Sequence, residues 1–298
     1  EDGRAVPWGR RGGYRRGMQD GSGLRLSFLG TGTSAGVPMI GCDCPVCTSD
    51  DPRDQRDRSS VLVSYPDGAG QERVYLIDTT PELRRQAIRA RMTRLDGVFI
   101  THAHADHIYG LDDLRRFNAV MDGPIDVWVE PGVREMLARA FQHIFEPHKN
   151  VNDSWVAQLI ARPLVPGEAV VLPEKVAGGA TWTPRRLMHG RLPIVGFRVD
   201  HGGASLAYCT DVSTIPPETW PLLEGLHVLV IDGLRERHHP THMTFDQAVE
   251  AIERAAPKRG YLTHIAHDFS PAQIEAMLPD GIEPAFDGLV VEVGSAES

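Results

Sequence analysis

Long apolar runs are missing from this chain. Nowhere in its 298 residues do about 18 apolar residues follow one another, which excludes a membrane-spanning helix. Cysteine is scarce: four residues are too few to staple a secreted scaffold of this length with disulfides. Lysine is nearly absent, with only Lys149, Lys175 and Lys258 among 31 basic residues, a compositional bias without functional content. Positive charge is outnumbered, 31 Lys and Arg against 40 Asp and Glu, for a net charge of −9. That balance argues against nucleic acid as a partner, because nucleic-acid binders carry a broad basic face. A small anionic substrate stays open, since a metal can supply the positive charge locally. What remains, 41% hydrophobic and 24% charged residues, suits a soluble globular protein able to bury a sizeable core.

The first 23 residues stand apart, with seven glycines, five arginines and no apolar periodicity. Such a segment cannot bury enough surface to offset its ordering entropy, so a disordered basic tail is expected over 1–23. It lacks the apolar region of a secretory signal, and with reduced thiols this points to the cytoplasm. From Leu24 the pattern changes: Leu24-Arg-Leu-Ser-Phe-Leu29 alternates like a half-buried strand and ends in a glycine-rich loop over 30–36. That loop imitates a dinucleotide fingerprint, but no helix can start cleanly at Val37-Pro38 and the imitation fails. Further strands are expected at 60–65, 73–77, 97–101, 125–129, 194–199, 206–209, 228–231 and 260–262, and helices at 81–91, 111–118, 133–145, 245–255 and 271–277. Residues 150–179 hold three prolines and little periodicity and read as a long loop or insertion. No composition break or repeat divides the rest, so a single α/β domain is expected over 24–298, with helices packed outside two sheets.

The chemistry concentrates in His102-Ala-His104-Ala-Asp106-His107, on the turn leaving an apolar segment. His102 and His104 are two apart, so an extended backbone points both rings the same way, while Asp106 and His107 come round the turn toward a second position. Imidazole and carboxylate together suit zinc, iron or manganese. One turn cannot fill two metal shells, and His189, Asp211 and His264 each follow an apolar run where a further ligand would be placed. A second cluster, Cys42-Asp-Cys44-Pro-Val-Cys47, puts three thiols within six residues. Thiolates favour a soft cation such as zinc, and a Cys42–Cys44 disulfide would be strained. His267, three residues after His264, is placed to complete that set. Cys209 reads as a small core residue on a strand.

Taken together, the 102–107 turn with lone His189, Asp211 and His264 resembles the metallo-β-lactamase fold superfamily of dinuclear hydrolases over nearly all of 24–293. The resemblance implies a four-layer αββα sandwich with two divalent ions, zinc or manganese, at one edge. It assigns His102, His104 and His189 to one metal, Asp106, His107 and His264 to the other, and Asp211 to the bridge. Asp78, closing a strand, matches the acidic residue beneath the site, where a carboxylate can hold a ligand histidine's tautomer. Leu29-Gly-Thr-Gly32, the cysteine cluster, Thr263-His-Ile-Ala-His267 and Phe286-Asp-Gly288 are similar to the phosphoribosyl cyclic phosphodiesterase family of the carbon–phosphorus lyase pathway. That likeness implies a structural zinc on Cys42, Cys44, Cys47 and His267 in a loop over 41–48. It makes His242 the general acid or phosphate contact, with His238 and His239 as rivals, and the catalytic candidates are His242 and Asp106.

The implied activity is opening of a cyclic or small phosphodiester by a hydroxide shared between two ions, with His242 as an imidazolium protonating the leaving alkoxide. Residues 143–179 are longer than the family's equivalent, and such insertions often line the substrate pocket. Rival readings are an oxidative B-type protein of pyrroloquinoline-quinone biosynthesis, a transfer-RNA 3′-processing nuclease, a lactone or thioester hydrolase, and a binding module that keeps its metals as structure. The missing basic exosite disfavours the nuclease. A homodimer is the base-rate expectation.

Overall fold

The computed structural model describes residues 23–151, 154–170, 172 and 178–294. The tail expected to be disordered, Gly23 excepted, lies outside these residues, as does part of 143–179. The chain runs through β1 (Arg25–Gly30), β2 (Ser60–Pro66), β3 (Glu72–Ile77), α1 (Leu83–Arg89), β4 (Gly97–Phe99), α2 (Ala105–Ile108), α3 (Arg115–Met121), β5 (Ile125–Val129), α4 (Pro131–Ala140), α5 (Gln142–Phe145) and β6 (Leu159–Pro163). It continues through β7 (Thr181–His189), β8 (Leu192–His201), β9 (Ala204–Cys209), β10 (Val228–Asp232), α6 (Phe245–Ala255), β11 (Arg259–Thr263), α7 (Pro271–Met277), β12 (Ile282–Pro284) and β13 (Val290–Glu292). One sheet has the order β13-β1-β2-β3-β4-β5-β6 and the other β12-β11-β10-β9-β8-β7.

Alternation along the strands builds the layers. Side chains on a strand point to opposite faces in turn, so each strand feeds two cores. Val61, Val63, Tyr75, Ile77 and Phe99 enter the core between the sheets, where they meet Val195, Phe197, Leu206, Tyr208, Val228 and Val230 from the opposite sheet. Their neighbours Leu62, Leu76, Val98 and Ile100 face outward under Leu83, Phe117 and Leu137 of the helical layer. On the far side Ala207, Cys209, Leu229 and Ile231 meet Ala248, Ile252 and Ile274 of α6 and α7. Helices therefore cover the outer face of each sheet, giving the four-layer αββα sandwich of the metallo-β-lactamase fold. Phe99 stacks on Trp182 at 4.1 Å and on Trp128 at 4.7 Å, tying the sheets together at the middle of the core. Both α6 and α7 begin with a capping box, Thr244 with Gln247 and Ser270 with Gln273, which satisfies two otherwise orphaned N–H groups in each helix.

Several expectations need correction. Residues 159–163 of the supposed loop form β6, an edge strand parallel to β5. β7 went unread because Pro184, Arg185 and Arg186 mask it. It is an edge strand laddered with β8, with isolated bridges to Val170 and Thr214, and there proline's missing N–H costs no ladder bond. The helix expected at 133–145 breaks at Phe141 into α4 and α5, and that at 111–118 opens with a 3₁₀ turn, Leu111–Leu114.

The glycines after β1 are needed for close approach. A Cβ on Gly30 would lie 2.0 Å from the Arg58 carbonyl oxygen, and one on Gly32 2.6 Å from that of Arg56. Asp287 anchors the same loop, accepting hydrogen bonds from Thr31 Oγ1 at 2.8 Å and the Asp57 N–H at 2.8 Å. The loop in turn receives the Ile265 N–H on the Thr31 carbonyl at 2.8 Å, so it braces the turn that follows β11.

Candidate functional site

Strands β3, β4 and β5 run parallel in one sheet, β9, β10 and β11 in the other, and β7 points the same way as β9. Residues at or just beyond the ends of β3, β4, β7, β9, β10 and β11 therefore emerge at one edge of the sandwich. Asp78, His102, His189, Asp211, Asp232 and His264 occupy those positions. Three of them, Asp78 (φ 63°), Asp211 (φ 56°) and His264 (φ 59°), adopt left-handed backbone. Non-glycine residues rarely do so, and concentration of this strain at one edge is what a site that re-aims its side chains requires.

The ligating atoms converge in two groups. Those of His102, His104 and His189 lie within 4.8 Å of one another, as do those of Asp106, His107, Asp211 and His264. Asp211 joins the groups, for its oxygens also fall within that distance of His189 and His242 nitrogens. The rings are held from behind. His107 Nδ1 meets Asp78 Oδ2 at 2.7 Å, His102 Nδ1 meets Thr101 Oγ1 at 2.9 Å, and His189 Nδ1 donates to the Thr241 carbonyl at 2.8 Å. Each leaves Nε2 for the centre. His102 Nε2 is buried there with no hydrogen-bond partner, while His107 Nε2 faces Asp211 Oδ2 at 3.3 Å.

Charge explains what such a cage lacks. Burial alone would raise Asp211, yet the adjacent His264 and His107 hold its carboxyl well below the usual range. Burial would likewise lower His264, but Asp211, with Asp232 and Asp106 behind it, pushes that ring up to about 9. His107 is held above its ordinary value by Asp211, Asp78 and Asp106 against burial. His102 and His189 go the other way, lowered by burial, and stay neutral donors. The carboxylates thus call for positive charge at the centre, and the neutral His102 ring faces it with an unpaired nitrogen. That donor set fits divalent cations.

The second cluster is compact. His267 Nδ1 lies 3.3, 3.3 and 3.5 Å from the sulfurs of Cys42, Cys44 and Cys47, and no disulfide links these cysteines. Tetrahedral zinc with ordinary bond lengths would separate a sulfur from a nitrogen by about 3.6 Å. The Cys47 N–H and His267 hold the Cys44 thiol down to about 6, whereas burial pushes Cys47 up to about 11. Buried Arg56 donates to the carbonyls of Ala266 and, at 2.8 Å, Phe269, so the turn carrying both His264 and His267 is fixed from the cysteine side.

Asp78 is fully buried and takes the Thr101 N–H and hydroxyl, both at 2.8 Å, besides His107. In Asp78→Asn the amide cannot replace all three interactions. Metal affinity at the cage is expected to fall about 10–100-fold, as read by competition with a fluorescent chelator. Unchanged affinity would remove Asp78 from this supporting role.

Asp232 escaped the sequence analysis. It closes the apolar run of β10 as Asp78 closes β3, and that shared pattern was the available signal. Fully buried, it meets His242 Nδ1 at 2.6 Å and leaves Nε2 facing the cage. The His242 ring lies 4.6 Å from those of His189 and His264. Burial and His264 push His242 down to about 3, so by protein groups alone it is neutral rather than the expected imidazolium. His239 is a neighbour, 5.0 Å from the His242 ring, and His238 is exposed. None of the described residues of 143–179 lines the cavity beside His242.

Residues 73–265 match the β-lactamase superfamily domain. Among solved structures, a diphosphatase from the PhnP family is 40% identical, with a TM-score of 0.78, covering 90% of this chain and 97% of that one. The octanoyltransferase of Porphyromonas gingivalis is 35% identical over 269 residues, or 89% of this chain. This chain spans 51% of that relative's length. The Zn²⁺-bound PqqB of Methylobacterium extorquens shares the fold, at 22% identity and a TM-score of 0.69, covering 90% of this chain and 99% of that protein.

Proposed function

This chain belongs to the β-lactamase superfamily, and we propose that it is a two-ion hydrolase cleaving a small cyclic or linear phosphodiester. The observation that carries this reading is the convergence of seven donors, with Asp211 in one group and also close to His189 of the other. His102, His104 and His189 would hold one ion, Asp106, His107 and His264 the other, with Asp211 between them; zinc and manganese both suit this set. When bound, the ions supply the positive charge that makes water nucleophilic near neutral pH and polarises phosphoryl oxygens. Cys42, Cys44, Cys47 and His267 would hold a structural zinc. The phosphodiester emphasis draws support from the diphosphatase relative.

The protein's own groups supply the proton transfers. Water's oxygen bonds to phosphorus as the bond to the leaving oxygen breaks. Asp106, which burial would raise but His107 keeps ionised, can accept the water's proton. His242 Nε2 adjoins the cage near His189 and Asp211 and can protonate the leaving oxygen, with Asp232 fixing the ring. The substrate's negative charge must offset the depression of His242 when the complex forms.

His242→Ala is therefore expected to lower kcat about 10²–10⁴-fold on an alkyl phosphodiester and far less on a nitrophenyl ester, whose leaving group needs no proton. Equal losses on both esters would take His242 out of the acid role. A second reading, acyl thioester or lactone hydrolysis at the same centre, is favoured by the octanoyltransferase relative. Assaying zinc- and manganese-loaded protein against phosphodiesters, thioesters and lactones decides between them. Turnover confined to the acyl substrates would overturn the phosphodiesterase reading.

A further inference from the structure

Two segments singled out in the sequence, Leu29-Gly-Thr-Gly32 and Phe286-Asp-Gly288, supply no ligand to either cluster. The fold brings them together. The Phe28 N–H donates to the Leu289 carbonyl at 2.9 Å and the Gly288 N–H to the Phe28 carbonyl at 2.8 Å, which fixes the loop carrying Asp287 against β1. The Asp287 side chain is only 5% exposed, and both its oxygens are engaged. Oδ1 accepts from Thr31 Oγ1 at 2.8 Å; Oδ2 accepts from the Asp57 N–H at 2.8 Å and from Arg89 Nη2 at 3.1 Å. Arg89 also pairs with Asp57 at 3.0 Å. Hydrogen bonds to an ionised carboxylate are stronger than those between neutral groups, so the charged form of Asp287 is a firm anchor.

What lies beyond Thr31 gives the anchor its reach. Thr31 is fully buried, its carbonyl accepts the Ile265 N–H at 2.8 Å, and Gly32 forms a parallel bridge with Ile265. Ile265 follows His264, whose backbone is left-handed at φ 59°. The other buried histidines of the cage are directed through their own rings, for His102, His107 and His189 each have Nδ1 engaged from behind. His264 differs: its Nδ1 is buried with no hydrogen-bond partner among the described residues. No hydrogen bond behind that ring sets its direction. The ring follows the backbone, which is in a conformation that a non-glycine residue keeps only when its surroundings hold it there.

We propose that Asp287 is the positioning residue for His264, acting through Thr31 and Ile265 where Asp78 acts on His107 directly. The inference rests on the ligand role given to His264 above.

The test uses the full chain with its cage ions removed by a mild chelator. Burial pushes Asp287 up to about 7 against the pull of Arg89 and Thr31, so measurements at about pH 8 see the ionised form. Asp287→Asn keeps the shape and loses the charge, Thr31→Val deletes the hydroxyl and leaves the Arg89 pair, and Thr31→Ser keeps the hydroxyl. Amide hydrogen exchange at Ile265 is expected to be about 10-fold faster in Asp287→Asn and Thr31→Val, with Thr31→Ser near the unaltered rate. The Val195 amide, which donates to the Thr101 carbonyl next to His102, should keep its rate and so separates a local change from general loosening. Zinc titration against a chromophoric chelator is expected to show one cage ion held about 10–100-fold more weakly in the same two variants. Unchanged Ile265 exchange, equal acceleration at Ile265 and Val195, or unaltered zinc affinity would each overturn the positioning role. If Asp287→Asn does not fold, Thr31→Val against Thr31→Ser decides by the same criteria. Neither readout involves turnover. Zinc binding that depends on Asp287, in a protein that cleaves no phosphodiester, would overturn the phosphodiesterase reading and leave Asp287 in its place.

Discussion

Asp211→Ala is expected to lower kcat/KM on a phosphodiester by at least about 10³-fold and to reduce the content of cage metal. The loss should exceed the 10–100-fold typical of a supporting residue, because Asp211 is itself a member of one donor group and also lies close to His189 of the other. Its Oδ1 lies 3.1 Å from His264 Nε2 and its Oδ2 3.3 Å from His107 Nε2, while Thr210 Oγ1 holds Oδ2 at 2.6 Å. Alanine removes the carboxylate on which those histidines converge and leaves a buried, cation-seeking cage with one negative charge fewer. It also places a side chain without local hydrogen bonding in left-handed backbone, a cost of roughly 1–2 kcal/mol. Asp211→Asn separates the two effects, since asparagine tolerates that conformation and keeps the shape while losing the charge. Elemental analysis beside steady-state kinetics checks the expectation. An alanine variant retaining full metal content and turnover would refute the shared position of Asp211.

Cys47→Ser is expected to lower Tm by roughly 10 °C. Structural zinc contributes about 10–16 kcal/mol in small peptides near pH 7, and even about 5 kcal/mol lost converts at about 2 °C per kcal/mol in a chain of this size. Serine is a poor zinc ligand, and Cys47 is a buried member of the set, packed with Val37 and Val46 in their own small cluster. The effect should spread, because His267 and His264 share one short turn and Arg56 grips that turn through Ala266 and Phe269. Calorimetry with and without added zinc measures it. A variant with the unaltered Tm and zinc content would show that this cluster holds no structural ion. Zinc uptake here should release protons, since Cys47, pushed up to about 11, is a thiol at neutral pH and must become a thiolate to bind.

Different parts of the site were legible to different degrees. His102, His104, Asp106 and His107 are local in sequence, and a strand-to-turn geometry brings their side chains together almost automatically. His189, Asp211 and His264 could be found because each closes an apolar run, the mark of a strand end. Asp232 closes such a run too, but its purpose depends on His242, ten residues on. Whether those two meet depends on the path of the intervening loop, which no periodicity encodes. β7 was hidden for a related reason. An edge strand tolerates a proline and displays arginines, so its composition resembles a loop until β8 is seen beside it.

By itself the sequence determined the alternation of the strands it revealed, where α6 and α7 begin, and which side chains can bind a cation, because these follow from local pattern and ligand chemistry. Tertiary structure alone decided that Asp211 approaches His189 as well as His107 and His264, that His242 is buried against Asp232, and that Asp287 reaches Thr31. Those relations join strands of different sheets or separate loops, and they exist only once the core between the sheets has set the strand ends at one edge.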